Sequence, residues 1–207
     1  NPEIRRESWR RRLDHPAWGA KPNAAHRALA ALEAAGRIEL LVTQNIDGLH
    51  RAAGSSVERL VEIHGTIRET ACLGCGDRRP MREVLARVAA GEEDPPCERC
   101  GGILKSATVS FGQNLDPDLL ARAEEAAASA ELFLAIGTSL TVYPVARLPE
   151  IARSLALNGA QIILDLTAWV STGRRVDELS PMADARLAGQ SAQPAGVDLP
   201  GRPERRP

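Results

Sequence analysis

The 207 residues suffice for one sizeable core, or for one domain carrying a small insertion, and the pattern along the chain favours the second. Basic and acidic residues nearly cancel, 26 against 27, so no global field draws the chain to nucleic acid or to an acidic membrane surface, and any anionic ligand has to be bound locally. No apolar run reaches the roughly 18 residues of a membrane span, and the arginine-rich start is not followed by the apolar core of a signal peptide, which together predict a soluble intracellular protein.

Asn1 to Leu13 carries Arg5, Arg6, Arg10, Arg11 and Arg12 around one large apolar residue, Trp9. It reads as a solvated helix with Trp9 packed inward; the alternative, a basic patch for nucleic acid, lacks aromatic interleaving. His15-Pro16 ends this segment. Pro22-Asn23 then opens a crossover helix in which Ala25, Leu29 and Leu32 recur at helical spacing, and Gly36 closes it. His26, on that helix, reads as packing or as support for other residues.

Ile38 to Val42 reads as a buried parallel strand, and it runs straight into Thr43-Gln44-Asn45-Ile46-Asp47-Gly48-Leu49-His50. Polar residues at the C-terminal end of such a strand lie where ligands bind in an open α/β sheet. Gln44, Asn45 and Asp47 there offer amide donors, amide acceptors and a carboxylate. A second apolar run, Leu60 to Ile63, leads to His64-Gly65. An imidazole titrating near neutrality is the usual general base, although a lone histidine is more often structural.

Cys72-Leu73-Gly74-Cys75 and Cys97-Glu98-Arg99-Cys100 follow. Two residues between cysteines let both thiolates of a pair reach one ion, and four thiolates make a closed structural zinc site. Four unrelated thiols would not account for the matched spacing, or for Gly76 and Gly101 directly after each pair. Paired thiols in such a chain indicate metal in a reducing cytoplasm, not disulfides. Arg82 to Ala90 reads as a short helix inside this module.

Leu104 to Ser110 reads as a strand ending in the turn Phe111-Gly112-Gln113, Pro117 to Ala130 as an alanine-rich helix, and Leu132 to Ile136 as another buried strand. Gly137-Thr138-Ser139 after it suits phosphate or ribose oxygens. Val145 to Leu157 is expected to be helical and Ala160 to Leu166 a strand.

Taken together, Thr-Gln-Asn-Ile-Asp-Gly-Leu-His, His-Gly, the two Cys-x-x-Cys pairs and Gly-Thr-Ser-Leu followed by Tyr143-Pro144, in this order, resemble the sirtuins, the NAD-dependent protein deacylases. The resemblance runs from about Pro22 to about Asp165. It implies an α/β fold, a Rossmann-like parallel sheet with a small zinc-binding module inserted. Residues 1–70 would form the first part of the large domain, 71–104 the zinc module and 105–168 the second part. Residues 169–207, where the resemblance fades, would be a divergent, disordered tail.

What the resemblance implies for function is transfer of an acyl group from lysine to ADP-ribose with release of nicotinamide. His64 would be the general base; Gln44, Asn45, Ile46, Asp47, Gly137, Thr138, Ser139 and Asp165 would bind NAD. Val109, Phe111 and Gly112 would contact the acyl-lysine protein substrate, and Cys72, Cys75, Cys97 and Cys100 would hold zinc. Gln113 stands where the family usually has glutamate, and Asp165 where it has asparagine. The family's Gly-Ala-Gly-x-Ser loop and Gly-Ile-Pro-Asp-Phe-Arg segment are not found, which leads to the expectation of an N-terminal truncation with weakened cofactor binding. Mono-ADP-ribosyl transfer and an inactive zinc-stabilised binding module are the alternative readings.

Overall fold

The computed structural model describes residues 1–155 and 161–165. The chain divides into two compact units, residues 1–127 and 128–207; the expected tail, 169–207, lies outside the described residues.

In the first unit, α1 (Pro2–Leu13) starts at Asn1, whose side chain accepts from the Glu3 amide at 2.9 Å, and ends with Arg10, Arg11 and Arg12 at the negative pole of the helix dipole. A short 3-10 turn (Pro16–Trp18) follows. Helix α2 (Ala24–Ala34) begins with a reciprocal cap between Asn23 and His26. It stops at Gly36, where the Arg37 amide bonds back to the Leu32 carbonyl at 2.9 Å.

Strand β1 (Leu41–Thr43) pairs in parallel with β2 (Leu60–Glu62), and the crossover between them contains the single-turn helix α3 (Leu49–Ala52). The strand is shorter than the apolar run Ile38 to Val42 and shifted toward its C-terminal end. The Ile63 amide, bonded to the Thr43 carbonyl at 3.1 Å, continues the pairing up to the polar cluster.

Strand β3 (Gly65–Cys72) lies between β4 (Arg78–Pro80) and β5 (Leu104–Thr108), antiparallel to both. Helix α4 (Met81–Ala89) buries Met81, Val84 and Val88, one face at helical spacing. They form a core with Cys72, Cys97, Leu104 and Trp9 from α1. Trp9 is thus packed inward as its isolation among arginines suggests. Arg5 grips Asp94 with Nε and Nη2, the shortest contact being 2.6 Å, so α1 is fastened to the segment that leads into Cys97. Helix α5 (Pro117–Ser129) buries Ala123 and Ala127.

In the second unit, β6 (Leu132–Ile136) and β7 (Gln161–Asp165) pair in parallel and in register. A 3-10 turn (Val145–Arg147) precedes α6 (Leu148–Leu155), so the helix expected from Val145 begins three residues later; residues 156 and 157 lie outside the described residues. The expectation of a buried β6 does not hold. Ala135 is buried, whereas Leu132, Leu134 and Ile136 are 49, 42 and 51% exposed. An apolar run marks a strand but does not say that both its faces are covered.

Candidate active site and metal centre

The polar cluster sits at the C-terminal end of β1. Thr43 Oγ1 accepts from the Asn45 amide at 3.1 Å, and Asp47 Oδ1 accepts from the Leu49 amide at 2.9 Å. Both are local turns of the kind that hydroxyl and carboxylate side chains make with the backbone two residues on. They bend the chain sharply and leave the side chains of Asn45 and Ile46 exposed, with Asp47 half-buried.

His64 lies beside this loop because β2 runs parallel to β1 and the chain continues past Glu62 in the same direction. Its Nδ1 is 3.1 Å from the Gln44 carbonyl oxygen. A carbonyl only accepts, so this contact assigns the proton to Nδ1 and leaves the lone pair on Nε2. That is the tautomer a general base requires. The His64 carbonyl in turn accepts from the Val109 amide at 2.9 Å, which brings the segment after β5 to the histidine. At Gly65, φ is +77° and a Cβ would stand 2.1 Å from the Ala107 carbonyl oxygen, so only glycine lets β3 and β5 meet here.

The strand expected over Leu104 to Ser110 ends at Thr108. Beyond it, Lys105 Nζ donates to the Thr108 carbonyl at 2.7 Å and to Gln113 Oε1 at 3.0 Å, and the Gln113 amide closes a turn on the Ser110 carbonyl at 2.9 Å. Val109 is half-buried, while Phe111 and Gly112 are exposed at the tip of that turn.

Glu62, the last residue of β2, was not singled out by its sequence. It pairs with Arg51 Nη2 at 3.3 Å. Burial raises its carboxyl above the ordinary glutamate value, opposed by Arg51 and reinforced by Glu69 and Asp47. His26, besides capping α2, has its ring centroid 4.6 Å from that of His50. Burial first, then His26, lowers the His50 imidazole, against the pull of Asp47.

In the second unit, Gly137-Thr138-Ser139 directly follows β6. Thr138 Oγ1 accepts from the Leu140 amide at 3.2 Å, and Ser139 and Thr141 share a hydroxyl contact of 2.7 Å. Asp165 ends β7 opposite Ile136 in the pairing.

The four cysteines converge. Their sulfurs all lie within 4.8 Å of one another, with Cys72–Cys100 at 3.5 Å and Cys75–Cys97 at 3.8 Å. An ion about 2.3 Å from each of four tetrahedral sulfurs places them about 3.8 Å apart, so the residues fit structural zinc. The amides of Cys75 and Gly74 lower the Cys72 thiol to about 7. Cys100 is pushed up to about 12: the Gly102 amide draws it down, but the neighbouring sulfurs of Cys75 and Cys72 outweigh it. Thiolates this close repel one another, and a cation among them would neutralise that repulsion.

A family model described as Sir2 family matches residues 2–144. NAD-dependent protein deacetylase 2 of Streptomyces coelicolor is 51% identical over 164 residues, 79% of this chain and 67% of that protein. NAD-dependent protein deacetylase 1 of Pyrobaculum aerophilum is 38% identical over 179 residues, 84% of this chain and 69% of that protein. A solved structure of Sir2 with a p53 peptide and NAD+ superposes with a TM-score of 0.68 at 32% identity, covering 86% of this chain and 74% of that one. The chain belongs to the Sir2 family, the sirtuins. Its α/β fold with parallel strand pairs and a four-cysteine module is the sirtuin fold.

Proposed function

We propose that this sirtuin is an NAD-dependent protein-lysine deacetylase, acting on acyl-lysine side chains of cytoplasmic proteins and transferring the acyl group to ADP-ribose. The observation that carries the reading is the placement of His64, its Nδ1 proton held by the Gln44 carbonyl at 3.1 Å, next to exposed Asn45 and half-buried Asp47. An amide and a carboxylate on one loop crest, with an imidazole beside it, suit a ligand that carries both a carboxamide and ribose hydroxyls.

NAD supplies a ribose carbon with nicotinamide as its leaving group. Asn45 and Asp47, with the backbone of Ile46, would hold the nicotinamide amide and the adjoining ribose, and Gln44 would position ribose hydroxyls for His64. The hydroxyls and amides of Gly137, Thr138 and Ser139 serve phosphate or ribose oxygens, and Asp165 the adenine ribose. Val109, Phe111 and Gly112 present the acyl-lysine. With NAD bound, Nε2 of His64 would accept the proton of a ribose hydroxyl, readying that oxygen to receive the acyl group as the lysine nitrogen leaves as the free amine. Zinc, held by Cys72, Cys75, Cys97 and Cys100, shapes the module of residues 71–104 between the two parts of the large domain, 1–70 and 105–168.

The test is product analysis with the full-length protein, NAD and an acetyl-lysine peptide. Free lysine peptide, nicotinamide and acetyl-ADP-ribose in equal amounts are expected, and His64→Ala lowers turnover by about two to four orders of magnitude while NAD still binds. ADP-ribose attached to the peptide would replace this reading with ADP-ribosyl transfer. Parental turnover in His64→Ala would remove His64 as the base.

A further inference from the structure

The loop that bears Asn45 and Asp47 leaves a strand of only three residues, and its own turns are local. Besides His64 at the Gln44 carbonyl, what fixes it from outside is β3. The Ile67 amide donates to the Ile46 carbonyl at 2.8 Å, and Arg68 Nε donates to the Asp47 carbonyl at 2.9 Å. Two successive carbonyls of the loop are thus taken by two successive residues of one strand. The same guanidinium donates through Nη2 to the Ala17 carbonyl at 3.1 Å, and its carbon lies 5.4 Å over the Trp18 ring. Among the described residues Arg68 makes no salt bridge; its charge is held by carbonyl dipoles and a π face.

We propose that Arg68 is the positioning residue of the cofactor loop, clamping the Asp47 backbone to the Ala17–Trp18 turn and thereby aiming the side chains of Asn45 and Asp47. This rests on the reading of those two residues as NAD contacts. Two further features suit the clamp. Gly48 has φ +70°, and a Cβ there would come 2.9 Å from Arg68 Cγ, so the aliphatic stem lies directly on the loop. The Asp47 carboxylate is spared, because Arg68 takes the carbonyl of that residue; Oδ1 accepts from the Leu49 amide instead. An arginine that paired with the carboxylate would neutralise the charge the ligand is to meet. The geometry also demands arginine: a lysine ammonium is a single point and does not span two carbonyls in the plane of a fork.

The experiment compares the full-length parent protein with Arg68→Ala, Arg68→Lys and, as a control, Arg59→Ala, which loses a contact of similar kind to the Ile38 carbonyl (2.9 Å). Arg68→Ala is expected to raise the KM for NAD by about tenfold to a hundredfold, the scale on which small misplacements of a binding group act. The KM for peptide, the zinc content and the Arg59→Ala kinetics stay at parental values. Arg68→Lys recovers little, and added guanidinium ion at non-denaturing concentration restores NAD binding to Arg68→Ala but not to Arg68→Lys. Amide hydrogen exchange at Asp47 to Leu49 speeds up in Arg68→Ala without NAD present. A parent that consumes no NAD would sink the functional reading, and the exchange data then decide the clamp alone. An active parent with unchanged KM for NAD in Arg68→Ala, or unchanged exchange in the loop, overturns the proposal; so does a loss of stability alone.

Discussion

Strand β3 is held in opposite ways at its two ends. At Cys72 the side chains do the holding: four sulfurs converge, Trp9, Met81, Val84, Val88 and Leu104 close a core around them, and arginines from α1 and α4 fasten the segment leading to Cys97. Arg87 takes Glu92 in a two-point grip of 2.7 Å and donates to the Pro96 carbonyl at 3.0 Å. At Gly65 the backbone does much of the holding. Ile67 to Ile46, Val109 to His64 and Ile63 to Thr43 are all amide-to-carbonyl bonds. A structural module can use up its polar and apolar side chains in packing, whereas a site has to leave them available, and here main-chain bonds take their place.

That contrast is broken most severely at the zinc end. Cys97→Ser removes one thiolate from a closed tetrahedral site whose metal contributes folding free energy outright, on the order of 10 kcal/mol for such sites at neutral pH. The expected outcome is a protein with less than one-tenth of the parental zinc and loss of the near-ultraviolet signal of Trp9. Full zinc occupancy in the variant, measured by metal analysis, would show that the convergence of sulfurs is not a metal site.

Next comes Trp9→Ala. Trp9 is 2% exposed and belongs to the same core as Cys72 and Cys97, and truncating a buried tryptophan costs about 3–5 kcal/mol. Urea unfolding reads this as a lower midpoint, and chelator competition reads a faster loss of zinc. A midpoint shifted without any change in the rate of zinc loss would separate α1 from the metal centre and weaken the comparison.

Much of the zinc end is legible in the sequence, because spacing encodes it: one Cys-x-x-Cys pair can serve redox or metal chemistry, but two of them together make a four-thiolate metal site. The crest at β1 is legible for a similar reason, polar residues abutting an apolar strand. The caps at Asn23 and Gly36 are local chemistry and stand where expected. What escapes is set by distant partners. Arg68 looks like any charged residue on an alternating strand, since Asp47 and Ala17 are 21 and 51 residues away. The exposure of Leu132, Leu134 and Ile136 depends on what covers a strand, about which the strand's own residues are silent. The NAD and substrate roles proposed for individual residues rest on the family resemblance and the local geometry together, not on composition or periodicity.

The smallest effect sharpens the comparison, because one buried side chain does hold the backbone behind the crest. Glu33, on α2, is 8% exposed, and its Oε1 accepts from the Ser56 amide at 2.8 Å in the connection between α3 and β2. That backbone bond is the main reason its carboxyl sits below the ordinary value of 4.5; burial opposes it, and the Ser56 and Ser55 hydroxyls and Arg59 assist. With the folded pKa depressed, the unfolded chain takes up the proton first as pH falls. The stabilisation is therefore present above pH 4.5 and disappears as pH drops through the folded value. Glu33→Gln keeps an oxygen for the Ser56 amide but cannot titrate. Urea midpoints measured from pH 6 downward should fall more steeply in the parent than in Glu33→Gln below pH 4.5, and run parallel above it. Equal slopes throughout would mean that the Ser56 bond does not distinguish the ionised carboxylate from the neutral side chain, and that the charge of Glu33 contributes nothing to holding this connection.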